Sequence, residues 1–482
     1  MAVMTFGRLA VLLGFVASVA VLAQAPQPFD SAQGRQPDWT KLEDETMRHY
    51  QAVLRLDTRN PPGNEVVVAE YVKGVLEKEG IPATIVGADP KRPNLIARLK
   101  GNGKKRPLLI MGHSDTVTTD EAKWTHPPLS ATREGGYVYG RGTVDDKDNL
   151  TGALMTMLLL KRLNVPLDRD VIFVSESGEE GSTGVGIGYL VKEHFPEIDA
   201  EYCLAEGGGV TRIGGQVKYA TVQTLEKIPR GIELISHGIS GHGSIPLKSN
   251  AIVHLAGAVA KVGDWRPEVR FNETTGTYFR KLAAISPPDV AKYYRDVLST
   301  DPKVQRAADD WLLENEPRHS SMLRTSVSPN IFTGGYRSNV IPSEAKATLD
   351  VRALPDEDPA KFLAAVKRVV NDPAVDVRFT NESIRPAGPD AKLDSEAYKA
   401  LEAAGTRIYN APTLPMMSTG ATDMAQLRAK GVQCFGIGPA VDFEDAPKGF
   451  GAHSDQERLL ESELHRFVRF NWDVISNLVR AR

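Results

Sequence analysis

The sequence reads as an α/β chain: a main domain on a mostly parallel sheet, made discontinuous by a ferredoxin-like α+β domain that interrupts it. Three observations give this reading. Apolar runs of strand length alternate with segments of helical period as far as about residue 225, the order that lays helices over a parallel sheet. A β-α-β-β-α-β order follows, the pattern of a split βαβ unit. Strand and helix patterns then return after Leu401.

The elements follow in order. Residues 1–7 form a short lead, Arg8 adds a positive charge, and 9–23 are almost wholly apolar. Small residues stand at Ala17, Ser18, Ala20, Ala23 and Ala25. This is the layout of a secretory signal peptide over 1–23, cleaved after Ala23. An uncleaved anchor is the alternative, but the apolar run is shorter than the about 20 residues a span needs. Residues 24–39, rich in Pro, Gln, Ser and Asp, read as a linker. A secreted or periplasmic protein is expected.

The first part of the main domain is 40–227. Leu42, Met47, Tyr50, Val53 and Leu54 recur at helical spacing, and 57–65 is a turn-rich loop. Helices are expected at 66–78, 149–163 and 187–194, and strands at 83–86, 94–99, 107–111, 171–175 and 202–205. The interrupting domain takes 228–383, with strands at 231–237, 330–334, 345–352 and 375–380 and helices at 251–262 and 359–370. A long polar and helical insert lies near 265–324. Residues 384–482 complete the main domain, through 401–409, 425–430, 433–437 and a last helix near 460–479.

Composition is that of an ordinary globular protein, 41% hydrophobic and 25% charged, and 482 residues hold two or three domains. A formal net charge of −3 gives no attraction to nucleic acid or to an anionic membrane. The two cysteines, Cys203 and Cys434, both lie in apolar runs. Two thiols make neither a disulfide scaffold nor a four-ligand structural zinc site.

Five strand ends carry side chains of the metal-binding kind. Gly112-His113-Ser114-Asp115-Thr116-Val117 follows an apolar strand, where open α/β sheets bind ligands. A His-x-Asp there suits a metal ligand and its orienting partner. Gly140-Arg141-Gly142-Thr143-Val144-Asp145-Asp146-Lys147 puts two carboxylates before a helix; either also suits a helix cap. Ser177-Gly178-Glu179-Glu180-Gly181 follows a buried strand. Adjacent carboxylates there repel unless a cation compensates one; an acidic surface loop is the duller reading. Glu206-Gly207-Gly208-Gly209 and Gly451-Ala452-His453-Ser454-Asp455-Gln456-Glu457 add a carboxylate and an imidazole.

Together His113, Asp145, Glu180, Glu206 and His453 supply two imidazoles and three carboxylates, a set that suits a divalent pair such as zinc. With one carboxylate bridging, each ion has three protein ligands, and Glu179 is left as base for a water between them. Ser114 lacks the second glycine of a nucleophile elbow, so a serine hydrolase is poorly supported.

In these five motifs, their order and their spacing, the chain resembles the di-zinc metallopeptidase family that includes glutamate carboxypeptidase, aminoacylase, acetylornithine deacetylase and succinyl-diaminopimelate desuccinylase. The resemblance spans almost the whole mature chain. It implies that His113 and Glu206 bind one zinc, that Glu180 and His453 bind the other, and that Asp145 bridges both, with cobalt or manganese as substitutes. It implies that Asp115 hydrogen-bonds His113 and fixes its tautomer, that Glu179 is the general base and then the acid, and that the 145–146 peptide is cis. The main domain becomes the catalytic domain and the interrupting one a lid/dimerisation domain.

His242, in Ser240-Gly241-His242-Gly243-Ser244, resembles the family histidine that stabilises the oxyanion, from the partner subunit in dimeric members. Asn339 and Arg352 resemble the contacts to the substrate carboxylate, a strand-end salt bridge being the duller reading of Arg352, and Gly420 resembles a substrate-side loop. Two departures stand out. Asp148 replaces a glycine common after the Asp-Asp-Lys, and the 265–324 insert is long, in the manner of the secreted carboxypeptidase S and N-acyl-amino-acid hydrolase branch. The long insert leaves open whether the protein is a homodimer and whether His242 acts in its own subunit. The implied reaction is hydrolysis of an amide beside a free carboxylate, in a small peptide or an N-acyl amino acid, by a carboxypeptidase or an aminoacylase. A catalytically inactive secreted binding protein is the remoter reading, disfavoured by the intact ligand set and Glu179. Neither nucleic acid nor lasting membrane association after signal removal is implied.

Overall fold

The strands with the most continuous apolar character form the centre of a ten-stranded sheet. Val171–Glu176, Leu108–His113, Tyr202–Ala205 and Gln433–Gly436 lie side by side and parallel. The first three are buried along their whole length, as strands covered on both faces must be. The computed structural model describes residues 37–380 and 385–481; the expected signal peptide and most of the linker lie outside them.

Asn94–Leu99 and Ala83–Val86 extend one side of the sheet antiparallel. On the other side Gln216–Glu226 is antiparallel to Gln433–Gly436 and to Gly209–Ile213, and parallel to Thr413–Ser418. Ala440–Asp442 runs parallel to Gly209–Ile213. The sheet is therefore mixed, with a parallel centre.

Helix Lys147–Arg162 is apolar on nearly every side and buried for most of its length. It packs against Leu108–His113 on one side and helices Trp39–Arg55 and Glu461–Val479 on the other. Cys203 and Cys434 stand opposite each other on neighbouring central strands, buried and free. No described helix is long and apolar enough to cross a membrane.

Sequence reading misses the far side of this sheet. Gly209–Ile213 and Gln216–Glu226 form a hairpin closed by Gly214 and Gly215, with φ of 59° and 74°. A two-glycine loop of this hand matches the strand twist, and the dipeptide is the legible signal. Thr413–Ser418 is masked by Pro415, tolerated here because the strand has a strand neighbour on one side alone.

Ile228–His237 leaves the main sheet directly after Gln216–Glu226, with Lys227 between them. It enters a four-stranded antiparallel sheet ordered Ser326–Gly334, Glu344–Ala353, Ile228–His237, Val375–Phe379. Helices Ala251–Asp264 and Pro359–Val370 pack on it through Leu255, Val262, Phe362 and Val366. The order along the chain is β-α-β-β-α-β, with the first strand between the third and fourth, which is the ferredoxin-like arrangement.

The long insert forms helices Glu273–Ile285, Pro288–Asp296, Pro302–Asn315 and Pro317–Met322. Three begin at a proline, whose missing N–H costs nothing in the first turn. Tyr278, Phe279 and Leu282 share an apolar cluster with Leu414 and Met416, and Thr224 and Thr274 share a hydrogen bond of 2.8 Å. The insert thus packs on Thr413–Ser418 of the main sheet, although its flanks in the chain belong to the smaller one.

Candidate metal centre

His113 ends the strand Leu108–His113, Glu206 directly follows Tyr202–Ala205, and Glu179 and Glu180 lie just beyond Val171–Glu176. These strands are parallel neighbours, so their carboxyl ends deliver all four side chains to one edge, where α/β sheets bind ligands. Asp145 precedes helix Lys147–Arg162, and His453 lies in the loop before Arg458–Leu460.

Asp145 stands in the middle. Its Oδ1 is 3.0 Å from His113 Nε2 and its Oδ2 is 3.0 Å from His453 Nε2. His113 Nε2 is also 3.8 Å from Glu206 Oε2, and His453 Nε2 is 2.8 Å from Glu180 Oε1. Ligand atoms of His113, Asp145 and Glu180 lie within 4.8 Å of one another, as do those of His113, Glu179 and Glu206. The structure brings together all five expected ligands and Glu179. The Asp145–Asp146 peptide is cis.

The electrostatics favour positive charge at this centre. Burial opposes charge on Asp145, yet hydrogen bonds from His113 and His453 hold its carboxyl well below the usual range. Hydrogen bonds to Asp145 and Glu180 lift His453 to about 10. Burial, then the charge of Glu179, raises Glu206 well above a normal carboxyl. Burial, then Asp423, lifts Glu179 to about 8. Several carboxylates buried beside two imidazoles are the donor set that divalent ions of the zinc kind take.

Asp115 meets His113 as expected and does more. His113 Nδ1 lies 3.0 Å from the backbone carbonyl of Asp115 and 3.5 Å from its carboxylate. The carboxylate also accepts the backbone N–H groups of Glu179 and Glu180, each at 3.1 Å, and Nδ2 of Asn60 at 2.9 Å. Asp115 thus holds both His113 and the Glu179–Glu180 loop. Asn60, from the turn-rich loop, also donates to the Glu180 carbonyl at 3.1 Å.

Other motif residues brace the ligands. Glu457 is buried and accepts from Arg141 Nη1 at 2.6 Å, Val144 N at 2.8 Å and Gly142 N at 3.2 Å, tying the His453 loop to the Asp145 loop. Lys147 Nζ donates to the carbonyls of Val53 and Leu56, both at 3.0 Å.

A cavity of about 380 Å³ opens beside the ligands, and Glu179, Glu206, His453, Arg352, Arg385 and Gly420 line it. Arg352 is already engaged there: its Nε and Nη2 donate to Asp350 at 2.8 and 3.1 Å. Buried Glu226 anchors the Gly420 loop, accepting from Thr422 N at 3.1 Å, Thr422 Oγ1 at 2.7 Å and Arg428 Nη1 at 2.8 Å.

His242 and Asn339 are not brought to this cavity. Gly241–His242 pairs with Val340–Ile341 in a separate two-stranded ribbon, and Gly243 N donates to the Asn339 carbonyl at 2.8 Å. His242 is exposed, with Nδ1 2.7 Å from Ser244 Oγ. Conversely, sequence reading missed Arg385, whose Nη2 donates to Glu179 Oε1 at 3.0 Å. Arg385 sits in an aperiodic segment with no motif to mark it.

The sequence pattern of Peptidase family M20/M25/M40 matches residues 109–477. The chain belongs to this family. As an M20 protein it is a metallo-hydrolase, and the family is dinuclear metal-dependent. A probable carboxypeptidase S-like 2 of Dictyostelium discoideum is 28% identical over 391 residues, covering 77% of this chain and 72% of that protein. The human N-fatty-acyl-amino acid synthase/hydrolase PM20D1 is 28% identical over 361 residues, covering 72% of this chain and 67% of that protein. In fold, the chain is similar to the M20 family metallo-carboxypeptidase Sso-CP2 from Sulfolobus solfataricus, with a TM-score of 0.66, 20% identity and coverage of 90% and 99%. It is also similar to the Bacillus subtilis YXEP protein, described as a dinuclear metal binding peptidase, with a TM-score of 0.57, 14% identity and coverage of 90% and 98%.

Proposed function

We propose that this M20 protein is an exported, zinc-dependent amidohydrolase that cleaves the amide beside a free carboxylate in a small peptide or an N-acyl amino acid. The observation that carries the reading is Asp145, 3.0 Å from both His113 and His453, with Glu179 on the wall of the same cavity. In this reading His113 and Glu206 hold one ion, Glu180 and His453 the other, and Asp145 both. Bound ions polarise a carbonyl and acidify water. Glu179 takes the proton of the attacking water and returns it to the leaving nitrogen. Arg352 and Arg385, on the same wall as Gly420, favour a substrate that presents an anion there.

Carboxypeptidase and aminoacylase chemistry share this machinery, and the relatives' names include both kinds. Export rests on the signal-peptide layout of 1–23. The exposed position of His242 supports its delivery to the site of a second copy, and with it a homodimer. Strand Ser326–Gly334 has an open edge, on which Ile331 and Phe332 are exposed, as is Val253 on the helix packed beside it.

Removal of metal by a chelator is expected to abolish hydrolysis, and added zinc or cobalt to restore it. Glu179→Ala is expected to bind the same two ions per chain and to lose turnover by about 1000-fold. Turnover near that of the unaltered enzyme in this variant overturns the reading.

A further inference from the structure

We infer that Arg385, seated on Asp423, is the positioning residue for the base: it fixes the Glu179 carboxylate in the orientation that takes the proton of the attacking water. The inference rests on the amidohydrolase reading above.

Glu179 needs such a hold. Its loop carries Gly178 and Gly181, with φ of 75° and 100°, a turn that only glycine adopts freely. The main chain of Glu179 is fixed, because its N–H donates to Asp115 at 3.1 Å. The side chain beyond it turns about three torsions, each with more than one minimum. A base acts only within hydrogen-bond reach of the proton it takes. Among the described residues, Arg385 alone donates a hydrogen bond to this carboxylate, from Nη2 to Oε1 at 3.0 Å. One oxygen is thereby held, and the second stays available to water.

Arg385 is itself held. Its Nη1 lies 3.3 Å from Asp423 Oδ1, and Asp423 is buried directly before helix Met424–Ala429. That helix is anchored, because Thr422 before it and Arg428 within it both donate to buried Glu226. Pro386 follows Arg385 and confines it to extended backbone. Three residues on, Gly388 lies so close to the same helix that a Cβ there would come within 2.4 Å of the Cβ of Arg428. The backbone that carries the guanidinium and the carboxylate that pins it are therefore packed together, and the fork between Asp423 and Glu179 has little room to turn.

The test follows kcat and KM for an N-acetyl amino acid in the metal-loaded enzyme, with the metal content of each variant measured. Arg385→Ala is expected to bind two ions per chain, to lower kcat by about 100-fold, as misplacing a catalytic group by an ångström does, and to leave KM within about twofold. Guanidinium ion, added well below denaturing concentrations, is expected to raise kcat of this variant again, and urea, of the same shape without the charge, is not. Arg385→Lys is expected to keep about a tenth of kcat and carries the test if the alanine variant does not fold. Asp423→Asn is expected to lower kcat by about 10-fold on its own and to add nothing to Arg385→Ala, because it acts through the arginine. A KM that rises while kcat holds, losses that multiply in the double variant, or equal recovery with urea overturns the inference alone. No turnover of any N-acyl amino acid or dipeptide by the unaltered, metal-loaded enzyme overturns the amidohydrolase reading beneath it.

Discussion

Asp115 spends its buried charge on the amides of Glu179 and Glu180 and on Asn60, so its contribution is to aim a base and a ligand together. Burial pushes its carboxyl up, but hydrogen bonding and charge from His113, with the bond from Asn60, hold it below the ordinary range. Asp115→Asn keeps the shape and removes the charge. Metal affinity and turnover are both expected to fall by about 10- to 100-fold, read by metal titration and by kcat; unchanged metal affinity refutes this role. The five ligands were legible because few residue types bind such ions and each lies within three residues of a glycine. The hold of Asp115 on the Glu179–Glu180 loop and the contacts of Asn60 and Arg385 were not. They follow from which backbone amide or carboxylate lies within 3 Å or so in space, and periodicity carries no trace of that.

At the scale of elements, Lys227 joins the two sheets and is buried. Its Nζ donates to the Ser321 carbonyl at 2.9 Å, Ser326 Oγ at 2.8 Å and Ser321 Oγ at 3.2 Å. Burial, then the charges of Arg352 and Arg324, pushes its ammonium down from 10.5 to about 7. Between those values the unfolded chain binds more protons than the folded one, so stability rises with pH across that window. Below about 7 both states are protonated and the penalty is complete. Lys227→Met removes the dependence: from pH 7 to pH 10 the unaltered protein is expected to gain up to about 4 kcal/mol relative to the variant. Urea unfolding at both pH values measures this, and parallel pH profiles for the two proteins count against it. The β-α-β-β-α-β order was readable because strand and helix periods differ. The Thr413–Ser418 strand was not, because its apolar face is completed by the insert helix Glu273–Ile285, more than a hundred residues earlier.

Over the whole molecule, the open edge of Ser326–Gly334 and the exposed ribbon bearing His242 belong to one reading, a homodimer in which each copy completes the other's site. Ile331→Asp combined with Phe332→Asp puts like charges on that edge. The variant is expected to run as a monomer in size-exclusion chromatography with light scattering, with metal bound and turnover lost. A monomeric, fully active unaltered protein removes the dimer from the reading. The ligands of the proposed metal pair are spread from His113 to His453, and Glu457 clasps the last of them onto the Asp145 loop. A chain cut short of residue 453 therefore has no complete set of ligands for its second ion. The metal-to-protein ratio of a preparation becomes a tamper seal, reporting the fraction of molecules that carry the His453 loop and have closed it.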